Sequence, residues 1–185
     1  MAIAIPKKKK YTYEDYAKLP EGAPYQLIGG ELIMTPAPTP YHQYISGNIY
    51  SVLKEFVEGN NLGQVYYSPI DVYFEETETY QPDIIFISKE RLDIIKETKI
   101  EGAPDLVIEI LSPATAYYDL KKKFKIYEKH GVKEYWIVDP EEKSIEIYQN
   151  EGGQFRLIQT AKEAGTINSL LLKGLKIGLE KIFLS

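Results

Sequence analysis

The chain has 185 residues, 26% of them charged and 44% hydrophobic, with a formal net charge of −5 and no cysteine. That length allows one domain with a real core, no apolar run approaches the roughly 18 residues of a membrane span, and the missing cysteines exclude disulfides, thiolate metal sites and a cysteine nucleophile. The acidic balance argues against nonspecific binding to a polyanion, although Lys7 to Lys10 and the group Lys121, Lys122, Lys123, Lys125 and Lys129 are local basic concentrations, and the composition fits a soluble cytoplasmic protein with no membrane partner.

Met1 to Lys10, M-A-I-A-I-P-K-K-K-K, carries its charge after a very short apolar piece, the reverse of a secretory signal, and reads as a basic flexible arm (1–10) before a single domain (11–185). Thr12 and Asp15 have the spacing of a capping box, which predicts a short helix from about Tyr13 to Leu19, stopped by Pro20 and Gly22. Tyr25 to Met34 reads as two short strands around Gly29-Gly30. After T-P-A-P-T-P, Thr39 as N-cap and Pro40 at the first helical position start a helix to about Glu58, with Ile45, Ile49, Val52, Leu53 and Phe56 as its buried stripe. Gln64 to Phe74 alternates in part and reads as a strand with Ile70, Val72 and Phe74 on one face.

Gln81 to Ser88 and Leu106 to Leu111 are nearly continuous apolar runs, the pattern of central strands covered on both faces. Thr115 to His130 turns helical, with Leu120, Phe124 and Tyr127 on one face and Gly131 as the terminating glycine. Lys133 to Val138 is a strand closed by Asp139-Pro140, with Tyr135 and Trp136 as core residues, and Ser144 to Gln149 with Gln154 to Gln159 forms a further hairpin. From Thr166 to Phe183 strand and helix both remain open. This order implies an α/β (mixed α+β) fold, a mixed sheet sandwiched by helices with added hairpins at both ends.

The chemistry centres on Ala103 to Ser112, A-P-D-L-V-I-E-I-L-S, where Asp105, Val107, Glu109 and Leu111 share one strand face. Burying Glu109 among these neighbours costs several kcal/mol unless a cation or donors meet it. Asp83 stands at the mouth of the preceding apolar run, and if the two strands are neighbours the carboxylates converge, forming a hard oxygen site suited to Mg²⁺ or Mn²⁺. Helical spacing selects one lysine: Lys123 lies about 60° from the middle of the Leu120, Phe124 and Tyr127 stripe, whereas Lys122, Lys125 and Lys129 point away. Asp119 and His130 lie on the Lys123 side of that helix, His42 is a capping or core-edge histidine, and Asp105 reads as a capping residue at a strand start.

Pro82-Asp83, Glu109, a nearby lysine and this element order resemble the PD-(D/E)XK nuclease superfamily. Within it, G-A-P-D-L-V-I-E-I-L-S-P, then Asp119 to Lys123, then Y-E-K-H-G-V-K-E-Y-W-I-V-D-P resemble the putative restriction endonuclease family of small bacterial proteins, over about Tyr13 to Gln159. The resemblance implies a restriction-endonuclease-like core sheet flanked by helices, with Asp83 and Glu109 as metal ligands. The superfamily's lysine belongs two residues after the acid, where this chain has Leu111; the resemblance implies that Lys123, from the following helix, takes that role. Gln26 stands where Glu is expected in a Y-E-L-I-x-G pattern, which leaves Glu31 as the nearest acid for an accessory role.

The expected protein is therefore a Mg²⁺-dependent (or Mn²⁺-dependent) deoxyribonuclease, an endonuclease that hydrolyses DNA phosphodiester bonds, with Asp83, Glu109 and Lys123 as its catalytic residues. A homodimer would suit a duplex substrate. The alternative is a catalytically retired nuclease-fold module that binds nucleic acid or protein, and a weaker one is a glycosidase using the Asp83 and Glu109 pair.

Overall fold

Thr12 and Asp15 form the reciprocal capping box in the computed structural model, which describes residues 10–113 and 116–183. All but the last residue of the expected N-terminal arm lies outside the described residues. The helix they start, α1 (Tyr13–Tyr16), is a single turn, shorter than the pattern predicts. Strands β1 (Tyr25–Ile28) and β2 (Glu31–Met34) pair antiparallel across Gly29 and Gly30, whose φ angles of 63° and 76° are the reason glycine stands at both turn positions. Helix α2 (Pro40–Gly59) begins as expected, with the Thr39 hydroxyl accepting the His42 amide, and buries Ile45, Ile49, Leu53 and Val57.

The expected strand over 64–74 is instead two, β3 (Gly63–Tyr67) and β4 (Val72–Glu75), which join different sheets. Pro69 lies between them and has no amide hydrogen to continue a ladder, while the Ser68 amide donates to the Asp83 carbonyl, 2.9 Å away. The chain continues through β5 (Glu78–Tyr80), β6 (Ile84–Ser88), β7 (Ile100–Glu101) and β8 (Leu106–Ile110). A π-helical turn at Tyr118–Lys123 then leads into α3 (Phe124–Lys129), and the expected start of this helix at Thr115 lies outside the described residues. Strands β9 (Glu134–Asp139), β10 (Ser144–Glu151) and β11 (Gln154–Lys162) follow, and a final pair, β12 (Thr166–Asn168) and β13 (Lys176–Gly178), ends in one 3₁₀ turn, so the tail holds both kinds of structure.

The strands form a five-stranded sheet in the order β2-β1-β5-β4-β7 and a six-stranded sheet in the order β11-β10-β9-β8-β6-β3. In the second sheet only β8 and β9 run parallel, and the π turn with α3 provides the crossover between them. The period-two alternation gives this sheet two buried faces. Ile84, Phe86, Ile108, Ile110, Trp136 and Val138 pack toward α2, whereas Ile85, Ile87, Val107, Tyr135 and Ile137 pack toward α3 and the first sheet. The mixed α+β architecture with helices flanking mixed sheets is thus the one the sequence pattern implies.

Two buried acids brace this frame. Asp105 is fully buried and accepts the Ser88 amide at 2.8 Å, with Arg91 Nη1 at 3.0 Å and Lys133 Nζ at 2.7 Å, so it joins the ends of β6, β8 and β9. Glu134 accepts Trp136 Nε1 at 2.8 Å and Ser169 Oγ at 2.7 Å on one oxygen and the Leu170 and Leu171 amides on the other, which ties the C-terminal segment to β9. Burial alone would raise the Asp105 pKa, but Lys133, the Ser88 amide and Arg91 outweigh it and hold it below the ordinary 3.8. Its stabilising contribution is therefore complete above pH 3.8 and is lost as pH falls through the depressed value. Replacing Asp105 by Asn is expected to cost about 2–3 kcal/mol at neutral pH in urea unfolding, because both cations and the Ser88 amide lose their anion. The gap to wild type should narrow as the pH falls below 3.8.

Candidate active site

Strands β6 and β8 pair antiparallel with Ile84 opposite Ile108, and one further step of the same register sets Asp83 opposite Glu109. Side chains in such a pair stand about 4.5–5.5 Å apart at Cβ, on one face of the sheet. β6 begins only at Ile84, so the main chain of Ile110 has no strand partner on that side. Asp83 supplies one: its Oδ2 accepts the Ile110 amide at 2.7 Å.

Glu109 is buried on the α3 face, 3% exposed. Its Oε1 accepts from Lys123 Nζ at 3.0 Å and from the Tyr127 hydroxyl at 2.5 Å. Lys123 Nζ also lies 2.9 Å from Asp119 Oδ1, where the alignment is too poor for a directional hydrogen bond and the contact is one of charge. The ring of Tyr80 faces the ammonium with its centroid 5.8 Å away, and the Tyr80 hydroxyl donates to Glu78, which also accepts the Gly29 amide.

The π turn explains this convergence. It adds a residue to the helical turn, so residues four apart fall almost in line, and Asp119, Lys123 and Tyr127 all face inward. The same re-phasing corrects the expectation for Leu120, which is 42% exposed and not part of the buried stripe, and it takes Lys123 from the border of the core to full burial. Lys123 and Glu109 do meet, while Leu111 is half-buried and packs among apolar neighbours.

Two carboxylates, those of Glu109 and Asp119, meet a single lysine, and Asp83 stands across the strand pair from Glu109. Burial raises the Glu109 pKa and, although Lys123 opposes this, Asp119 and Asp83 add to it, so the value reaches about 8. For Lys123 burial disfavours the ammonium, but Asp119 and Glu109 outweigh it and the pKa rises above 10.5. Both shifts reflect burial together with more carboxylates than cations around one ammonium. His42, the third residue of α2, reaches the same spot from the opposite face of the sheet, with Nε2 at 3.0 Å from the Ile110 carbonyl oxygen and 3.4 Å from Asp83 Oδ2. Burial lowers its pKa, but Asp83, the Ile110 carbonyl and Glu109 overcome this and raise it above 6.5.

Among the described residues no three His, Cys, Asp or Glu side chains cluster with metal-ligand spacing. A cation at this site would therefore need a main-chain oxygen beside Asp83 and Glu109, and the Ile110 carbonyl is placed to be one. Two carboxylates and a peptide oxygen form a hard donor set that fits Mg²⁺ or Mn²⁺, and the excess negative charge fits a divalent ion.

Other expected residues fall elsewhere. Glu31 lies on β2, the edge strand of the other sheet, in register with Ile28, and the acid buried beside Tyr80 is Glu78. Gln26 is buried, and its side-chain oxygen accepts the Gln81 amide at 2.9 Å. His130 Nε2 lies 3.2 Å from Glu75, away from Lys123. Sequence reasoning missed Tyr127 as a donor to Glu109 because it fits an apolar stripe, and the available signal was its position four residues after Lys123.

Residues 13–180 match the family model described as "Uma2: Putative restriction endonuclease". An uncharacterized protein of Synechocystis sp., sll1609, is 25% identical over 151 residues, which cover 80% of this chain and 85% of that protein. The crystal structure of a putative nuclease belonging to DUF820 from Anabaena variabilis superposes with a TM-score of 0.77 and 24% identity, over 93% of this chain and 97% of that one, and shows the same fold. Among the described residues no helix is long and apolar enough to cross a membrane.

The raised Glu109 pKa has a definite sign. Its contribution to the stability of the cation-free protein is full below pH 4.5 and is lost as pH rises through about 8. Thermal unfolding in chelator should therefore show a Tm that falls across this window. Glu109→Gln, which keeps the shape but cannot ionise, should flatten the fall, and an unchanged slope would count against the assignment.

Proposed function

Because the chain belongs to the Uma2 family, described as putative restriction endonucleases, we propose that it is a nuclease that hydrolyses DNA phosphodiester bonds with Mg²⁺ or Mn²⁺. The observation that carries this reading is the ion pair of Lys123 and Glu109 at 3.0 Å, on the strand end where Asp83 stands opposite Glu109. Asp83, Glu109 and the Ile110 carbonyl would hold the cation, which when bound supplies positive charge to a phosphate oxygen and makes a water more acidic.

The remaining work belongs to the protein's own groups. Lys123 stays protonated, since Asp119 and Glu109 raise its pKa, so it is a donor and not a general base. Its ammonium has three hydrogens, of which Glu109 accepts one while Asp119 meets it by charge; another is available to orient a water or to meet charge developing on a phosphate oxygen. The Tyr127 hydroxyl donates to the same Glu109 oxygen as Lys123 and helps to fix the carboxylate. Lys121, exposed on the π turn next to Lys123, and the neighbouring half-buried Lys122 offer positive charge to a phosphate backbone where the net charge does not.

Cleavage of supercoiled and linear DNA with Mg²⁺ or Mn²⁺ tests this. Asp83→Asn, Glu109→Gln and Lys123→Met are each expected to lower the rate by about 10²-fold or more, with circular dichroism showing a retained fold. Undiminished cleavage by Glu109→Gln would overturn the assignment. Cation binding without cleavage of any nucleic acid would favour the retired binding module.

A further inference from the structure

We infer that the DNA this site takes has unpaired bases, as in a single strand or a looped or frayed duplex, and that Tyr67 and Tyr117 hold it by stacking on those bases. The inference rests on the nuclease reading and names the substrate class of that same site. Three of the large apolar side chains left in solvent among the described residues belong to segments that build this strand end: Tyr117 is 64% exposed, Tyr67 57% and Leu120 42%. Tyr67 closes β3 opposite Ile84, and the amide of the next residue, Ser68, donates to the Asp83 carbonyl at 2.9 Å. Its side chain shares the α2 face with Ile84. Tyr117 and Leu120 belong to the turn that sends Asp119 and Lys123 inward to Glu109, on the α3 side. Each layer of the molecule thus contributes one exposed ring beside the site.

Both rings are held in place. Tyr67 meets Tyr50 edge to face, with centroids 4.6 Å apart and planes at 65°, and Tyr117 meets Tyr118 in the same way at 5.6 Å and 80°. The two bracing rings are themselves half-buried, Tyr50 against the core under α2 and Tyr118 against the core on the other face of the sheet. An edge-to-face contact takes at most one face of a ring, so each exposed tyrosine keeps a flat apolar face open. Such a face stacks an unpaired base, and a ring already braced loses little freedom in doing so. Cations accompany the rings. Lys121 is exposed four residues after Tyr117, and the π turn sets such residues nearly in line, while Lys122 Nζ lies 5.4 Å from the Tyr118 ring centroid. Lys54 Nζ lies 5.8 Å from the Tyr50 ring centroid. Open aromatic faces beside ammonium groups match the two parts of a nucleotide, base and phosphate. An intact duplex offers no base faces, and a chain with a net charge of −5 is poorly equipped to hold one through phosphates alone.

The test uses the full chain, with Ca²⁺ replacing Mg²⁺ during binding, and three probes of equal length: oligothymidylate, an abasic strand that keeps the phosphates, and a blunt duplex. Fluorescence anisotropy should show the wild type binding oligothymidylate about tenfold or more tighter than the abasic strand. Tyr67→Ala and Tyr117→Ala should each remove much of that preference and leave abasic and duplex binding unchanged, whereas Tyr67→Phe and Tyr117→Phe should retain it. Lys121→Ala should weaken all three probes alike and lower the salt dependence. Cleavage with Mn²⁺ should follow the same order, single strand before duplex. Equal binding of oligothymidylate and the abasic strand by the wild type would overturn the stacking role, and cleavage of the duplex at the single-strand rate would overturn the substrate class while leaving the nuclease reading standing. Tyrosine-dependent binding of oligothymidylate without any cleavage would support the stacking surface and overturn the hydrolytic reading instead. The wild-type comparison keeps the test decisive even if an alanine variant folds poorly.

Discussion

The buried charge cluster of Glu109, Lys123 and Asp119 is the constraint on which the rest of this site depends. Removing one partner of a buried ion pair leaves an uncompensated charge at a cost of about 3–5 kcal/mol. Here one ammonium serves two carboxylates, at 3.0 and 2.9 Å, and Tyr127 adds a hydroxyl to Glu109. A regular α-helix would carry Asp119, Lys123 and Tyr127 progressively around its surface. The π turn at Tyr118–Lys123 keeps them in line, at the expense of leaving Leu120 in solvent. The distortion of the crossover and the charge on β8 are two sides of one arrangement.

The six-stranded sheet decides which groups reach that cluster from where. β8 is buried on both faces, so its odd and even residues answer to different layers. Glu109 belongs to the face shared with α3, and Ile110 turns its side chain toward α2. The main chain of Ile110 faces the end of β6, where the ladder has stopped, and there Asp83 and His42 meet it from opposite layers. At this strand end polar groups of both layers converge. Elsewhere the buried acids Asp105 and Glu134 are fully engaged by cations, hydroxyls and amides and act as braces.

The excess of carboxylate over cation sets the chemistry. Burial raises the Glu109 pKa most, Lys123 opposes it, and Asp119 and Asp83 add to the rise. The aromatic residues around the site, Tyr80, Tyr127 and Tyr135, exclude water and strengthen each of these charge interactions.

The sequence by itself determined the elements whose signals are local. The capping residues Thr12 and Thr39, the Gly29-Gly30 turn and the apolar runs of β6 and β8 each fix their own segment through backbone preference or side-chain period. The anomaly of an acid inside V-I-E-I-L marked Glu109, and the absence of a lysine at Leu111 pointed to one arriving from elsewhere. Only the tertiary structure decided how far that lysine is buried, that the helix bearing it is π-wound, that Gln64 to Phe74 divides between two sheets and that His42 reaches Ile110 from the far layer. These depend on contacts between residues 14 to 68 positions apart in the chain, and no local period or propensity encodes which layer will supply the partner of a buried charge.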